Sequence, residues 1–312
     1  MEETKLTHQP VLLSECLEGL NIRPDGIYVD GTFGRGGHSM EIAKRLETGR
    51  LICIDRDQAA LEAGKIRASG MDKFTFVHGN FKEISAILEK LGLDQVDGML
   101  FDLGVSSPQL DEAARGFSYL KDAPLDMRMD QSQSLTAWDV VNKWPKDELK
   151  QLLYTYGEER YAPLIAAAIA RRRETSGIDT TLELAQIIRD AMPKAALREK
   201  QHPAKRSFQA IRIAVNDELT AIGDMLPQAV SKLRPGGRIV VISFHSLEDR
   251  IVKTTFGALA RGCTCPPDFP VCVCGKTPEL RLVNKKPIGP SKGEQERNPR
   301  ARSAKLRIGE KI

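Results

Sequence analysis

An α/β fold, a mainly parallel sheet broken by a long all-helical insertion, is predicted for this chain by three observations. Four short runs rich in β-branched residues alternate with helical stretches up to Asp102. Strand-like sequence then stops for more than 110 residues before a further helix and strand return to the sheet. Three of the first four runs end in an acid, Asp30, Asp55 and Asp102, as expected where the carboxyl edge of an open sheet forms a crevice.

The four runs are 26–30, 50–55, 74–78 and 96–102, each short and apolar, the pattern of a strand buried on both faces. Helical spacing at about 38–46, 58–69 and 81–91 supplies the crossovers that parallel pairing requires. A fifth strand is expected at 238–244, after a helix over about 216–233 that Arg234-Pro235-Gly236-Gly237 stops. A usual crossover needs only about 30 residues. The intervening sequence reads as helix at 136–142, 146–156, 161–174 and 181–191, so an inserted helical subdomain is the economical reading. Runs at 279–283 and 303–308 are expected to close one edge as an antiparallel pair. The resulting division is 1–105 and 214–312 for the sheet domain and 106–213 for the insert.

The 312 residues, 41% hydrophobic and 28% charged, can bury a sizeable core and exclude disorder as the main state. No run approaches the roughly 20 apolar residues of a membrane span. The start, Met1-Glu2-Glu3-Thr4-Lys5, lacks a basic segment leading into an apolar one, so a cytoplasmic protein with no membrane partner is expected. Six cysteines are too few for a disulfide scaffold, and Cys16 and Cys53 fall in a core helix and a core strand. The net charge is only +4, yet residues 276–312 carry 11 Lys and Arg against 4 Asp and Glu. A basic tail on a mildly acidic body suits a polyanionic partner; a solvated tail is the alternative.

The first strand runs into Asp30-Gly31-Thr32-Phe33-Gly34-Arg35-Gly36-Gly37-His38, with a helix following. Glycines at such a turn let backbone approach a ligand, and the helix start adds N–H donors, which is the chemistry of a nucleotide-like cofactor loop. The dinucleotide fingerprint G-x-G-x-x-G is absent, which argues against a nicotinamide oxidoreductase. Against the S-adenosylmethionine pattern D-x-G-x-G-x-G, Asp30, Gly34 and Gly36 fall in register and Thr32 replaces the first glycine. Asp55 lies where a carboxylate can accept both ribose hydroxyls of an adenosine. Phe81 can pack on an adenine face or in the core.

Longer strings carry a family resemblance covering about residues 8–310. They are Asp102-Leu103-Gly104-Val105-Ser106-Ser107-Pro108-Gln109-Leu110-Asp111, Arg115-Gly116-Phe117-Ser118, Leu125-Asp126-Met127-Arg128-Met129-Asp130 and Tyr156-Gly157-Glu158-Glu159-Arg160. Later come His202-Pro203-Ala204-Lys205-Arg206-Ser207-Phe208-Gln209-Ala210, Ser243-Phe244-His245-Ser246-Leu247-Glu248-Asp249-Arg250 and Asn298-Pro299-Arg300-Ala301-Arg302-Ser303. In these the chain resembles the bacterial small-subunit ribosomal RNA cytosine-N4 methyltransferases, the RsmH (MraW) family. The resemblance implies a Rossmann-like class I methyltransferase sheet with an inserted helical substrate-recognition domain. It also implies S-adenosylmethionine as cofactor and, as partner, 16S rRNA within the small ribosomal subunit or its late precursor. Carried over residue by residue, cofactor contacts fall on Gly36, Gly37, His38, Asp55, Phe81, Asp102 and Gln109; His38 and Gln109 rest on the resemblance alone.

The amine at cytosine C4 is a poor nucleophile because its lone pair is delocalised, so an enzyme must position it and supply a hydrogen-bond acceptor. Other amino-methyltransferases use an Asp/Asn/Ser-Pro-Pro-aromatic turn after strand four; Asp102-Leu103-Gly104-Val105-Ser106-Ser107-Pro108 lacks the Pro-Pro pair and the aromatic. The acceptor expected here is Asp102, with a purely cofactor-binding carboxylate, a backbone carbonyl near Leu103 or Gly104, and a group from the insert as alternatives. His245 could line the base pocket or be a satisfied structural histidine. For RNA, Phe117 is the candidate stacking platform, with a core Phe as the alternative. Phosphate contacts are expected from Lys194, Arg198, Lys200, Lys205, Arg206 and Arg212 and from Arg297, Arg300, Arg302, Lys305 and Arg307 in the tail.

Cys263-x-Cys265 and Cys272-x-Cys274 place four thiols on one proline-rich loop. Either a structural zinc ion or reduced, reversibly oxidised thiols would account for them. Competing readings of the whole chain are a methyltransferase acting on DNA or protein and a nonenzymatic S-adenosylmethionine-binding ribosome assembly factor.

Overall fold

The computed structural model describes residues 10–261, 263, 265, 266, 268–271 and 273–312. In chain order its first elements are α1 (Leu13–Leu20), β1 (Ile27–Asp30), α2 (Gly37–Ala43), β2 (Arg50–Asp55), α3 (Gln58–Arg67), β3 (Phe74–His78), α4 (Ile84–Lys90) and β4 (Val96–Asp102). Six helices follow: α5 (Ser107–Asp111), α6 (Ala137–Lys143), α7 (Lys146–Gly157), α8 (Ala162–Arg173), α9 (Thr181–Ala191) and α10 (Lys205–Asn216). The chain then runs through α11 (Glu218–Ser231), β5 (Leu233–Ser243), α12 (Ser246–Arg261), β6 (Leu280–Leu282), α13 (Lys292–Arg297) and β7 (Lys305–Lys311). Two compact units result, Met1–Gly104 with Leu219–Ile312, and Val105–Glu218.

The first unit is built on a seven-stranded sheet in the order β3-β2-β1-β4-β5-β7-β6. β1 to β5 pair in parallel, and β7 and β6 add the antiparallel edge expected from the sequence. Strand order reverses between β1 and β4, and the crevice outside the carboxyl ends of strands at such a point is where open α/β sheets bind ligands. Successive side chains on a strand point to opposite faces, so each parallel strand feeds two cores. Val29, Ile52, Ile54, Met99, Phe101, Ile239 and Val241 pack with Leu88, Met225, Leu226 and Phe256 from α4, α11 and α12. Tyr28, Leu51, Cys53, Leu100, Val240 and Ile242 pack on the other face with Cys16, Leu17 and Leu20 of α1 and Ile42 of α2. This double burial is why the strands read as unbroken apolar runs.

β5 begins five residues before the expected strand and takes in Arg234-Pro235-Gly236-Gly237. Gly236 has φ 80, and the pairing with β4 shifts register between Val96 and Gly98. The sequence that reads as a helix stop thus also starts an irregular strand, which glycine in the left-handed region permits. β7 lies between β5 and β6, and two of its basic residues hold the neighbouring helix: Arg307 Nε donates to Asp249 Oδ1 at 2.6 Å and Lys305 Nζ to Asp249 Oδ2 at 3.1 Å. Of these two residues expected to bind phosphates, Arg307 is buried in its pair with Asp249, whereas the Lys305 side chain stays 45% exposed.

The second unit packs α6 to α10 around Val140, Leu152, Leu153, Ile165, Ile169, Ile188, Phe208 and Ile211. Thr136 and Thr180 cap α6 and α9 by accepting the backbone N–H groups of Asp139 and Glu183. α10 has no counterpart among the helices expected from the sequence, which leave the stretch between 191 and 216 unassigned. Phe117 is 6% exposed and belongs to this core, so it is no accessible stacking platform. It follows Gly116, where a Cβ would meet the Pro124 carbonyl oxygen at 2.4 Å, and the tight turn carries the ring inward.

Candidate cofactor site at the carboxyl edge of the sheet

The turn after β1 is shaped largely by its own packing. Gly36, at φ 71, precedes α2; a Cβ there would come within 2.5 Å of the Phe33 ring. A Cβ on Gly37 would come within 2.6 Å of Pro10. Thr32, which departs from the glycine pattern, ties the turn to the end of β4, because its hydroxyl accepts the backbone N–H of Asp102 at 2.6 Å.

The three strand-end acids divide into different roles. Asp30 is 2% exposed and spends both oxygens internally, accepting Ser39 Oγ at 2.6 Å and the Thr32 backbone N–H at 3.1 Å. It organises the turn rather than facing a ligand. Asp55 accepts the Gly34 N–H at 2.7 Å and the Asp57 N–H at 2.8 Å, one on each oxygen, and remains half-buried. Asp102 Oδ1 is buried without a hydrogen-bond partner among the described residues. Its other oxygen lies 3.8 Å from His38 Nδ1. His38 is buried, and its Nε2 sits 2.9 Å from the Val11 carbonyl oxygen, so Nε2 carries the proton and Nδ1 is turned toward Asp102.

Burial pushes all three carboxyls up to about 6. For Asp30 and Asp55 the hydrogen bonds from the turn oppose that rise, and for Asp102 His38 opposes it while Asp30 and Glu248 add to it. Glu248, fully buried at the start of α12, accepts the Phe244 and His245 backbone N–H groups at 2.7 and 3.2 Å. His245 Nε2 lies 3.1 Å from Glu248 Oε1, which makes it a neighbour of that carboxylate. Phe81, just after β3, is half-buried, meets Phe101 edge-on at 5.9 Å, and has the Arg56 guanidinium 5.9 Å from its ring centre. The crevice therefore brings together the loop glycines, His38, Asp55, Phe81 and Asp102. Thr32, Ser39 and Glu248 join it without a functional expectation from the sequence; only the Thr-for-Gly exchange signals any of them.

Gln109 belongs to the second unit, where its Oε1 accepts the Ser106 backbone N–H at 3.1 Å at the start of α5. In the same unit, Arg212 makes a two-pronged ion pair with Glu218, both contacts at 2.8 Å. Lys205 is exposed and Arg206 half-buried in the first turn of α10. Arg206 lines a small concavity with Glu159, Tyr161 and His202, so two of the family strings converge there. Tyr119 stacks on the His202 ring at 4.5 Å beside it. In the first unit, Arg300 and Arg302 are exposed.

Cys263, Cys265 and Cys274 have their sulfurs within 4.8 Å of one another, and Cys272 lies outside the described residues. Among the described residues no helix is long and apolar enough to cross a membrane.

These features stand beside a clear set of relatives. The model of the MraW methylase family matches residues 5–312. A Paenibacillus sp. (strain JDR-2) protein named ribosomal RNA small subunit methyltransferase H is 56% identical over 313 residues, covering 98% of this chain and 99% of that one. The protein of the same name from Brevibacillus brevis is 54% identical over 307 residues, covering 98% of each. That from Heliobacterium modesticaldum is 55% identical over 308 residues, covering 98% of each. With a match along its whole described length and relatives at this identity, the chain belongs to the MraW methylase family.

Proposed function

We propose that the chain transfers a methyl group from S-adenosylmethionine to the exocyclic N4 of a cytidine in the decoding region of 16S rRNA. The observation that carries this reading is the Asp102 carboxylate at the end of β4, with one oxygen buried and unpartnered, in the same crevice as the glycine turn and Asp55. Relatives that share more than half of this sequence bear the name of small-subunit ribosomal RNA methyltransferases, and this supports the substrate.

The residues fit the cofactor. Asp55 already ties the glycine turn to the loop after β2 by accepting the Gly34 and Asp57 backbone N–H groups, and its oxygens keep lone pairs for ribose hydroxyls. Phe81 offers an apolar ring for the adenine, and the acids of the crevice complement a cationic ligand. When bound, the cofactor supplies an electrophilic methyl on a sulfonium.

The rest falls to the chain. Asp102 accepts an N–H of the cytosine amine, which restores lone-pair density to the nitrogen as it loses conjugation, and receives the proton released on methylation. Thr32 fixes the backbone from which Asp102 projects, and the His38 ring lies beside the other carboxylate oxygen. A carboxyl near 6 is ionised at neutral pH and still basic enough to take that proton. The helical insert recognises the RNA, with Lys205 and Arg206 at a helix start where backbone N–H groups also favour phosphate; in the first unit, exposed Arg300 and Arg302 offer phosphate contacts of their own.

The test is incubation with methyl-labelled S-adenosylmethionine and undermethylated small subunits, free ribosomal RNA or DNA, followed by nucleoside mass spectrometry. Label in N4-methylcytidine from the subunit or the RNA is the expected result. Label confined to DNA or protein overturns the substrate, and cofactor binding without transfer to any acceptor favours an assembly factor.

A further inference from the structure

The loop joining α12 to β6 contains no helix or strand among its described residues, yet its base is closed: the Glu279 N–H donates to the Leu259 carbonyl at 2.9 Å. Connections this long in a compact unit are uncommon without something to order them. Apolar burial does not do so, because its large apolar side chains face solvent: Phe269, Val271 and Val273 are 52%, 70% and 72% exposed. What the loop does gather is sulfur. Cys263, Cys265 and Cys274 come from both arms, with sulfurs mutually within 4.8 Å.

We propose that Cys263, Cys265 and Cys274 ligate a zinc ion that orders this loop. Cys263 Sγ and Cys274 Sγ are 3.8 Å apart. A tetrahedral site with Zn–S bonds of about 2.3 Å has sulfur–sulfur edges of about 3.8 Å, whereas a disulfide would bring them to about 2.05 Å. Cys265 Sγ accepts the Val273 backbone N–H at 3.4 Å, the kind of donor that orients and stabilises a metal-bound thiolate. Soft thiolates select zinc over the hard cations magnesium and calcium. Binding releases the thiol protons to solvent and changes no oxidation state. The metal would be structural. It closes a ring between the C-terminal end of α12 and the approach to β6, a role that the buried Cys16 and Cys53 cannot share.

The experiment uses the full chain, purified without chelator or metal-affinity steps. Metal analysis is expected to find one zinc per chain. Replacing it with Co²⁺ should give sulfur-to-cobalt charge-transfer bands and the intense visible bands of a tetrahedral site. Cys274→Ser should lose the zinc and these bands while Cys53→Ala keeps both, and S-adenosylmethionine binding by each variant reports that the sheet unit is folded. The cobalt spectrum of the unmutated chain needs no variant to fold. Metal-free protein with no thiolate–cobalt bands overturns the proposal, as does a Cys263–Cys274 disulfide in freshly isolated protein, or bands unchanged in Cys274→Ser. Because zinc is read directly, failure here leaves the methyl-transfer reading intact, and failure of methyl transfer leaves the metal site intact.

Discussion

The Thr32 hydroxyl accepts the backbone N–H of Asp102 at 2.6 Å, so the turn after β1 and the end of β4 are one hydrogen-bonded structure. Glycine, the usual residue at this place in the loop pattern, could not make this bond. Thr32→Val keeps the shape and leaves a largely buried N–H unpaired, which costs about 1–3 kcal/mol. Chemical denaturation should register that loss, and calorimetric titration should find S-adenosylmethionine affinity reduced, whereas Thr32→Ser should restore both. Equal behaviour of the Val and Ser variants would show that the bond contributes nothing.

Asp55 gives the cofactor site a pH dependence of definite sign. Burial raises its carboxyl to about 6, and ribose hydroxyls donate to the ionised form. S-adenosylmethionine affinity should therefore be level above about pH 7 and fall on acidification through about 6. In the unliganded chain the same raised values act in the opposite sense: ionising Asp30, Asp55 and Asp102 in the fold is costlier than in the unfolded chain, so their contribution to stability declines as pH rises from about 4 to 6. Asp55→Ala should weaken cofactor binding about 10- to 100-fold, the worth of one charge-assisted hydrogen bond. Titration at pH 5 and pH 8 checks both, and equal affinities would contradict the assignment.

Much of this sheet is legible in the sequence: Arg50–Asp55 and Val96–Asp102, buried on both faces, and the half-buried edge strand Phe74–His78 have the boundaries their apolar runs suggest. α10 escapes because Lys205, Arg206, Gln209 and Arg212 interrupt its apolar residues, although Phe208, Ile211 and Val215 lie three and four apart on the buried side. In the site, the residue types at strand ends are readable, but their roles are not. Asp30 and Asp55 look alike in sequence and each accepts one hydrogen bond per oxygen in the fold; burial separates them, Asp30 being 2% exposed and Asp55 half-buried. The core place of Phe117 and the ion pair of Arg212 are hidden for a related reason: sequence gives the capacity to stack or to pair, while burial and the position of Glu218 decide what that capacity meets.

Lys205 and Arg206 occupy the first turn of α10, where positive side chains run against the helix dipole. Reversing both to Glu should leave the helical unit as stable as before, or stabilise it by a few tenths of a kcal/mol to about 1 kcal/mol per residue. RNA binding should respond differently. Loss of two phosphate contacts should weaken affinity most at low salt and reduce the slope of log affinity against log salt by roughly 1 to 2. Filter binding over a salt series, with S-adenosylmethionine titration as control, makes the comparison; an unchanged slope would take this helix start out of the RNA interface.

Asp249 anchors the edge of the sheet from outside it. Its two oxygens receive Arg307 and Lys305 of β7, and Asp249 and Arg307 are each only 8% exposed. Burial alone would raise the Asp249 carboxyl, but hydrogen bonds from the two cations outweigh it and hold the group below its usual range. A depressed carboxyl contributes stability that is present above the unfolded value of about 4 and is lost as pH falls through the folded one. Asp249→Ala leaves the Arg307 charge buried beside β5, which costs about 3–5 kcal/mol. Its effect should fall on the sheet unit, since the second unit has its own core. Hydrogen exchange should then report faster opening of β7 and β6 with little change across α6 to α10. The additional removal of the charge in Arg307→Met should recover part of the loss, because the penalty lies in the unpaired ion more than in the missing bond.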